Sequence, residues 1–119
     1  MAVFVRRATD ADYSEFYRQD PPYCWLGYVA VDPDQIVGMA GVVWTDLGVA
    51  IAFMDRNANV SPVAMHRTAL RVLAALEEVG EPVIFTRCDE HIPRAREWLQ
   101  RLGFVEDGEL WRKDFLWPH

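Results

Sequence analysis

The chain has 119 residues, 51% of them apolar and 25% charged, with a formal net charge of −6. That is the length and mix of one globular domain, not of a disordered or fibrous chain. The acidic balance argues against nucleic-acid binding through bulk charge, and no apolar run approaches the roughly 20 residues of a membrane-spanning helix. The opening residues lack the long apolar segment of a secretory signal. Cys24 and Cys88 lie far apart, with no CxxC or zinc-ligand spacing. A reducing cytoplasm is the expected compartment.

In chain order, Val3 to Arg6 is a short apolar run suited to a strand. Thr9-Asp10-Ala11-Asp12 places a hydroxyl three residues before an acid, the pattern of a helix start. Tyr13, Phe16 and Tyr17 share one face of that helix, and Gln19-Asp20-Pro21-Pro22 ends it. Trp25 to Val31 and Ile36 to Trp44 predict two strands around the Asp32-Pro33-Asp34 turn. Gly38 and Gly41 inside the second point to a bulge or a close backbone approach. Val49 to Met54 predicts a further strand. These runs are almost continuously apolar, as in strands covered on both faces.

Ser61 followed by Pro62 marks the start of the longest helix, with Val63, Leu70, Leu73 and Leu76 as its expected buried stripe and Gly80-Glu81-Pro82 as its stop. Val83 to Cys88 predicts a strand. Pro93 is expected to open a helix carrying Ala95, Trp98, Leu99 and Leu102 on one face and ending at Gly103. Phe104-Val105, the Asp107-Gly108 turn and Leu110 to Phe115 predict a closing hairpin. The order β-α-β-β-β-α-β-α-β-β implies a single α/β domain over 1–119: a mixed (α+β) sheet, helices on both faces, and one parallel crossover among antiparallel hairpins.

This order and several phrases resemble the GNAT superfamily of acyltransferases. Val5-Arg6-Arg7-Ala8-Thr9-Asp10-Ala11-Asp12 is similar to that family's opening strand and helix cap. Ala30 to Gly38 is similar to its second-to-third-strand hairpin, and Ala95 through Leu102-Gly103-Phe104 to its last helix. The chain also resembles the short GNAT-like proteins of tailed-phage genomes.

The resemblance implies acetyl-CoA as co-substrate, seated between two splayed strands (Val49 to Met54 and Val83 to Cys88). Its pyrophosphate would lie at the N-terminus of the long helix, where free N–H groups and the helix dipole favour anions. The implied cofactor-binding residues are Phe53, Met54, Arg56, Ser61, Val63, Ala64 and Met65, with the N–H groups of Val63, Ala64 and Met65 expected to be free. Arg56 reads equally as a solvated loop cation, and Ser61 as a helix cap alone.

Three departures stand out. The loop from Asp55 to Val63 lacks the family's glycines. The family's tyrosine falls on Leu99 and its asparagine on Ile92. The second helix is abbreviated, because Gln19 to Cys24 leaves little room for one. Cys88-Asp89-Glu90-His91 is the densest reactive cluster: Glu90 or His91 as general base and Cys88 as acid, or else a polar loop before the helix. A metal site is not expected, since adjacent side chains diverge. His66, in the first turn of the long helix, reads as a phosphate-facing or basic group, or as a neutral surface histidine. Two functions stay open: N-acyl transfer to a small-molecule or peptide amine, or a non-catalytic protein that binds a protein partner. A homodimer through an edge strand, or through an exposed Trp117, fits either.

Overall fold

The computed structural model describes residues 3–57 and 60–115. One seven-stranded sheet runs in the order β1-β2-β3-β4-β5-β7-β6. Its strands are β1 (Phe4–Arg7), β2 (Trp25–Val31), β3 (Ile36–Trp44), β4 (Ala50–Arg56), β5 (Val83–Thr86), β6 (Val105–Asp107) and β7 (Leu110–Asp114). The helices are α1 (Asp10–Tyr17), α2 (Pro62–Glu78) and α3 (Ala95–Arg101). All neighbouring strands are antiparallel except β4 and β5, which α2 connects in parallel.

α1 begins where expected. The Thr9 hydroxyl accepts the Asp12 N–H, and the Asp12 carboxylate accepts the Thr9 N–H, so two orphan donors are satisfied reciprocally. Arg6 clamps the same carboxylate at 2.7 and 3.0 Å. Hydrogen bonding by that guanidinium holds the Asp12 carboxyl below its ordinary range. α1 stops at Arg18, in left-handed geometry, and no helix follows before β2. The second helix is absent rather than abbreviated.

Alternate sheet residues feed two layers. Val29, Val31, Ile36 and Met39 pack under Tyr13 of α1 on one face. Leu26, Ala40, Val42 and Ile84 pack under α2 and α3 on the other. The strand glycines mark close approaches: a Cβ on Gly38 would collide with the Met65 sulfur of α2, and one on Gly41 with the Leu26 carbonyl. The register irregularity lies instead between Ala30 and Val31 against β3.

Four expectations are corrected. The buried stripe of α2 is Ala64, Met65, Thr68, Ala69, Val72 and Leu76, whereas Val63 is 67% and Leu70 46% exposed. Small residues face the sheet because the helix lies close against it at Gly38. β4 runs on to Arg56, while β5 ends at Thr86, short of Cys88. α3 opens at Ala95 rather than Pro93, behind a left-handed Arg94. Trp117, Pro118 and His119 lie outside the described residues. Among the described residues, no helix is long and apolar enough to cross a membrane.

Candidate functional site

The parallel pair is the weak seam of the sheet. β4 and β5 are in register only at Ala50↔Ile84 and Ile51↔Phe85, after which they part. The Thr86 hydroxyl donates to the Ala52 carbonyl at 3.2 Å, bridging the first step of the fork. That bond also fixes the direction of the backbone. Asn57 donates its N–H to Val37 of the β3 side, so odd-numbered β4 residues turn to β3 and even-numbered ones to β5. The N–H and C=O of Met54 therefore face the diverged side, where no strand meets them.

A cleft of about 650 Å³ opens there, between β4, β5, the first half of α2 and α3. Its floor is apolar, with Met65, Ala69, Val72, Leu99 and Phe104 among its walls. Its charged groups are unevenly matched: Arg56, Arg87, Arg94 and Arg101 line it, against the single carboxylate of Asp89. In a chain with 18 acidic and 12 basic residues, this concentrates positive potential at one opening. The volume lies within the usual range for small-molecule sites, about 300–1,000 Å³.

The N-terminus of α2 forms one lip. The Ser61 hydroxyl accepts the Ala64 N–H at 3.1 Å, and Met65 donates to the Ser61 carbonyl at 3.3 Å. Pro62 has no N–H. Of the three amides expected to be free, only that of Val63 is left, and the side chains of Ala64 and Met65 are buried against the sheet. Arg56 donates to the Val60 carbonyl at 3.0 Å, which holds its guanidinium beside this lip. Residues 58 and 59 of the expected loop lie outside the described residues.

Of the expected catalytic cluster, Cys88 and Asp89 line the cleft, but Glu90 and His91 do not. Glu90 is 68% exposed and pairs with Arg96 at 3.6 Å, and the His91 N–H donates to the Asp89 carboxylate in a local turn. Burial, then the nearby Glu90 charge, pushes the Cys88 thiol above its ordinary value. Leu99 is buried and Ile92 is an exposed apolar lip of the cleft, so neither supplies a proton. Phe53 and Met54 line the fork as expected. His66 lines it too. Its Nδ1 accepts the Trp98 indole N–H at 2.9 Å, so its other nitrogen carries the proton of the neutral ring. No group of three or more metal-ligating side chains occurs among the described residues.

Sequence reading missed two features. The arginine lining converges from β4, the β5–α3 connection and α3, which are distant in the chain. The second feature lies on the opposite sheet face, where the Tyr17 hydroxyl donates to the Asp55 carboxylate at 2.6 Å. Burial, then that carboxylate, pushes the Tyr17 phenol well above its ordinary range and keeps it protonated.

No protein-family model matches the chain, and no curated protein matches it. Solved structures do. The chain is similar to the ribosomal-protein-S18-alanine N-acetyltransferase of Escherichia coli, with a TM-score of 0.81 at 10% identity over 99% of this chain and 97% of that one. It is similar to a GNAT-family acetyltransferase of Staphylococcus aureus, with a TM-score of 0.70 at 13% identity over 97% and 100%. A Bacillus anthracis protein assigned as a streptothricin acetyltransferase, solved in complex with acetyl coenzyme A, gives a TM-score of 0.71 at 12% identity over 98% and 100%. These likenesses span nearly whole chains at very low identity, so what they establish is architecture: the chain has the GNAT acetyltransferase fold.

Proposed function

We propose that the protein is an N-acyltransferase that takes an acetyl group from acetyl-CoA to an amine. The observation that carries this reading is the fork itself: β4 and β5 part after two register pairs and leave the Met54 backbone groups facing an arginine-rimmed cleft. A pantetheine arm is a string of amides on a thin chain, and an unpaired strand edge is its natural hydrogen-bonding complement. A nucleotide carrying phosphates suits the four arginines, because guanidinium groups bind phosphate oxygens in bidentate fashion.

In this reading the phosphates are held chiefly by side chains. The α2 N-terminus contributes the Val63 N–H and the helix dipole, and Arg56, Arg87 and Arg94 supply the charge that glycine-loop amides would otherwise share. Cys88 is placed to protonate the departing CoA thiolate, and its raised pKa keeps it in the proton-bearing form. The amine enters from the α1 face, left open where no second helix covers the sheet, and its proton passes to water there. The two free cysteines suit a reducing compartment.

Calorimetric titration with acetyl-CoA, followed by a thiol-release assay across an amine panel, tests this. Micromolar binding together with thiol release that falls in Cys88→Ala at unchanged Kd supports it. Absence of heat at millimolar acetyl-CoA overturns it and leaves a GNAT-fold protein that acts by binding a protein partner.

A further inference from the structure

β1 is an outer strand of the sheet, and among the described residues no strand lies on its free side. Its backbone alternates in a definite sense. Ala8 donates its N–H to the Gly27 carbonyl of β2, so Phe4 and Arg6 turn their N–H and C=O groups to β2, and Val5 and Arg7 turn theirs outward. The Arg7 carbonyl is met there by the Arg6 guanidinium at 3.1 Å. The Val5 groups and the Arg7 N–H have no partner among the described residues. The same alternation sorts the side chains. Phe4, 49% exposed, and Arg6 project to the α1 face, where Asp12 clamps Arg6. Arg7 projects to the α2 face, with its guanidinium 5.9 Å from the centre of the half-buried Tyr28 ring, its cross-strand partner. Arg71 of α2 lies 5.0 Å from the same ring, and Arg67, one turn earlier on that helix face, is exposed. Among the described residues none of these three arginines pairs with a carboxylate. In a chain of net charge −6, they concentrate positive potential beside an open strand edge. Because α2 covers β2 and β3, this edge and the arginine-rimmed cleft lie on opposite sides of the helix.

An open strand edge offers ladder hydrogen bonds to a peptide backbone, and strand addition is a general mode of peptide capture. The flanking side chains then choose the sequence. In an added strand, residues opposite Val5 and Arg7 fall on the arginine face and those opposite Phe4 on the other, with about 7 Å between successive residues of one face. We infer that β1 is a docking edge for an extended peptide whose acidic residues alternate with apolar ones. The carboxylates meet Arg7, Arg71 and Arg67 as charge-assisted pairs, and the apolar side chains lie beside Phe4. A peptide is favoured over a nucleic acid because outward N–H and C=O groups complement an amide backbone, and because the net charge of the chain repels a polyanion. The inference goes beyond the acyltransferase reading and does not rest on it.

The test is an amide-resolved NMR titration of the full chain with a blocked pentapeptide that alternates glutamate and valine. The controls are a lysine–valine peptide of equal length and the acidic peptide methylated at its glutamate nitrogens. The expected result is saturable binding of the acidic peptide, with the largest shifts at the Val5 and Arg7 amides and weaker binding as salt is raised. Methylation removes ladder donors and keeps the charge, and should weaken binding at least about tenfold. Arg7→Gln and Arg71→Gln should each weaken it about three- to tenfold, as for loss of one charge-assisted bond at an exposed site. Both positions are exposed, so the fold should be retained in the variants, as thermal melts would read. Equal binding of the lysine peptide or of the methylated peptide, unchanged affinity in both arginine variants, or no binding at all would each overturn the inference. The last result would leave Arg6 and Arg7 as charges that keep the edge from pairing. Tighter binding of a single-stranded oligonucleotide at the same arginines, or self-association through β1 that excludes the peptide, would put another occupant on the edge and equally overturn it.

Discussion

The Ser61 cap sets helix stability against anion binding, and one substitution separates the two. In the native chain the Ser61 hydroxyl occupies the Ala64 N–H at 3.1 Å, so an incoming phosphate meets one open amide, that of Val63. Ser61→Gly removes the competitor without a bulky replacement. Glycine is itself tolerated at the cap, so the expected stability loss is a few tenths of a kcal/mol. For a domain of this size that lowers Tm by about 1–2 °C. The released N–H then becomes a second backbone donor at the positive end of α2. A hydrogen bond to a charged group contributes about 1.5–3 kcal/mol, and part of that is offset by displacing water from the amide. Acetyl-CoA affinity should therefore rise roughly three- to tenfold, at about 1.4 kcal/mol per decade. Paired thermal melts and calorimetry read both effects from one preparation. Lower stability with unchanged or weaker affinity would refute the reasoning and show that phosphate does not approach the α2 N-terminus, or that the Ser61 hydroxyl is itself a ligand.

Arg87→Gln with Arg94→Gln should weaken acetyl-CoA binding by about tenfold or more and flatten its dependence on ionic strength, checked by calorimetry at two salt concentrations; an unaltered salt slope would place the phosphates elsewhere. Leu99→Tyr should lose about 1–3 kcal/mol in denaturant unfolding, because Leu99 is only 7% exposed and belongs to the main core, so the larger ring has to displace packed neighbours unless it turns into the cleft that Leu99 also lines. Tolerance of a tyrosine there would mean that α3 is less tightly packed than described. Asp12→Asn should cost about 1 kcal/mol near neutral pH, discounted for the exposure of Arg6. Since the Asp12 carboxyl is held below its ordinary value, its contribution is present above the usual carboxylate range and is lost as pH falls through the depressed value. Stability curves of the two chains should therefore converge below about pH 4, and a constant gap would refute the pairing.

The elements that were legible in the sequence are those whose cause is local. The capping box at Thr9, the Ser61-Pro62 start and the continuous apolar runs of β2 and β3 carry their own structural reasons within a few residues, and the strand bounds are reproduced as read. The face of α2 was not legible. Hydropathy favours Val63 and Leu70, but contact distance favours Ala64 and Ala69, and that distance is set by Gly38 on a strand more than twenty residues away. The amide count at the α2 lip needed the coordinates as well, since a serine cap signals a helix start without saying which N–H it consumes. The reactive run from Cys88 to His91 divides for the same kind of reason: the Asp89–His91 turn leaves Cys88 in the cleft and carries Glu90 outward to Arg96. Tyr17 and Asp55, 38 residues apart, meet only because α1 packs across β3 and β4. Nothing at that spacing announces a contact.

The central claim is that the parted ends of β4 and β5 receive an acyl-CoA. An amide-resolved NMR titration of the chain with acetyl-CoA tests it most directly. Saturable shifts concentrated at the Met54, Val63 and Cys88 amides are the predicted result, with the β1 and β6 edges unmoved. Resonances at Met54 and Val63 that stay in place at millimolar ligand, or shifts confined to another face of the sheet, would contradict it.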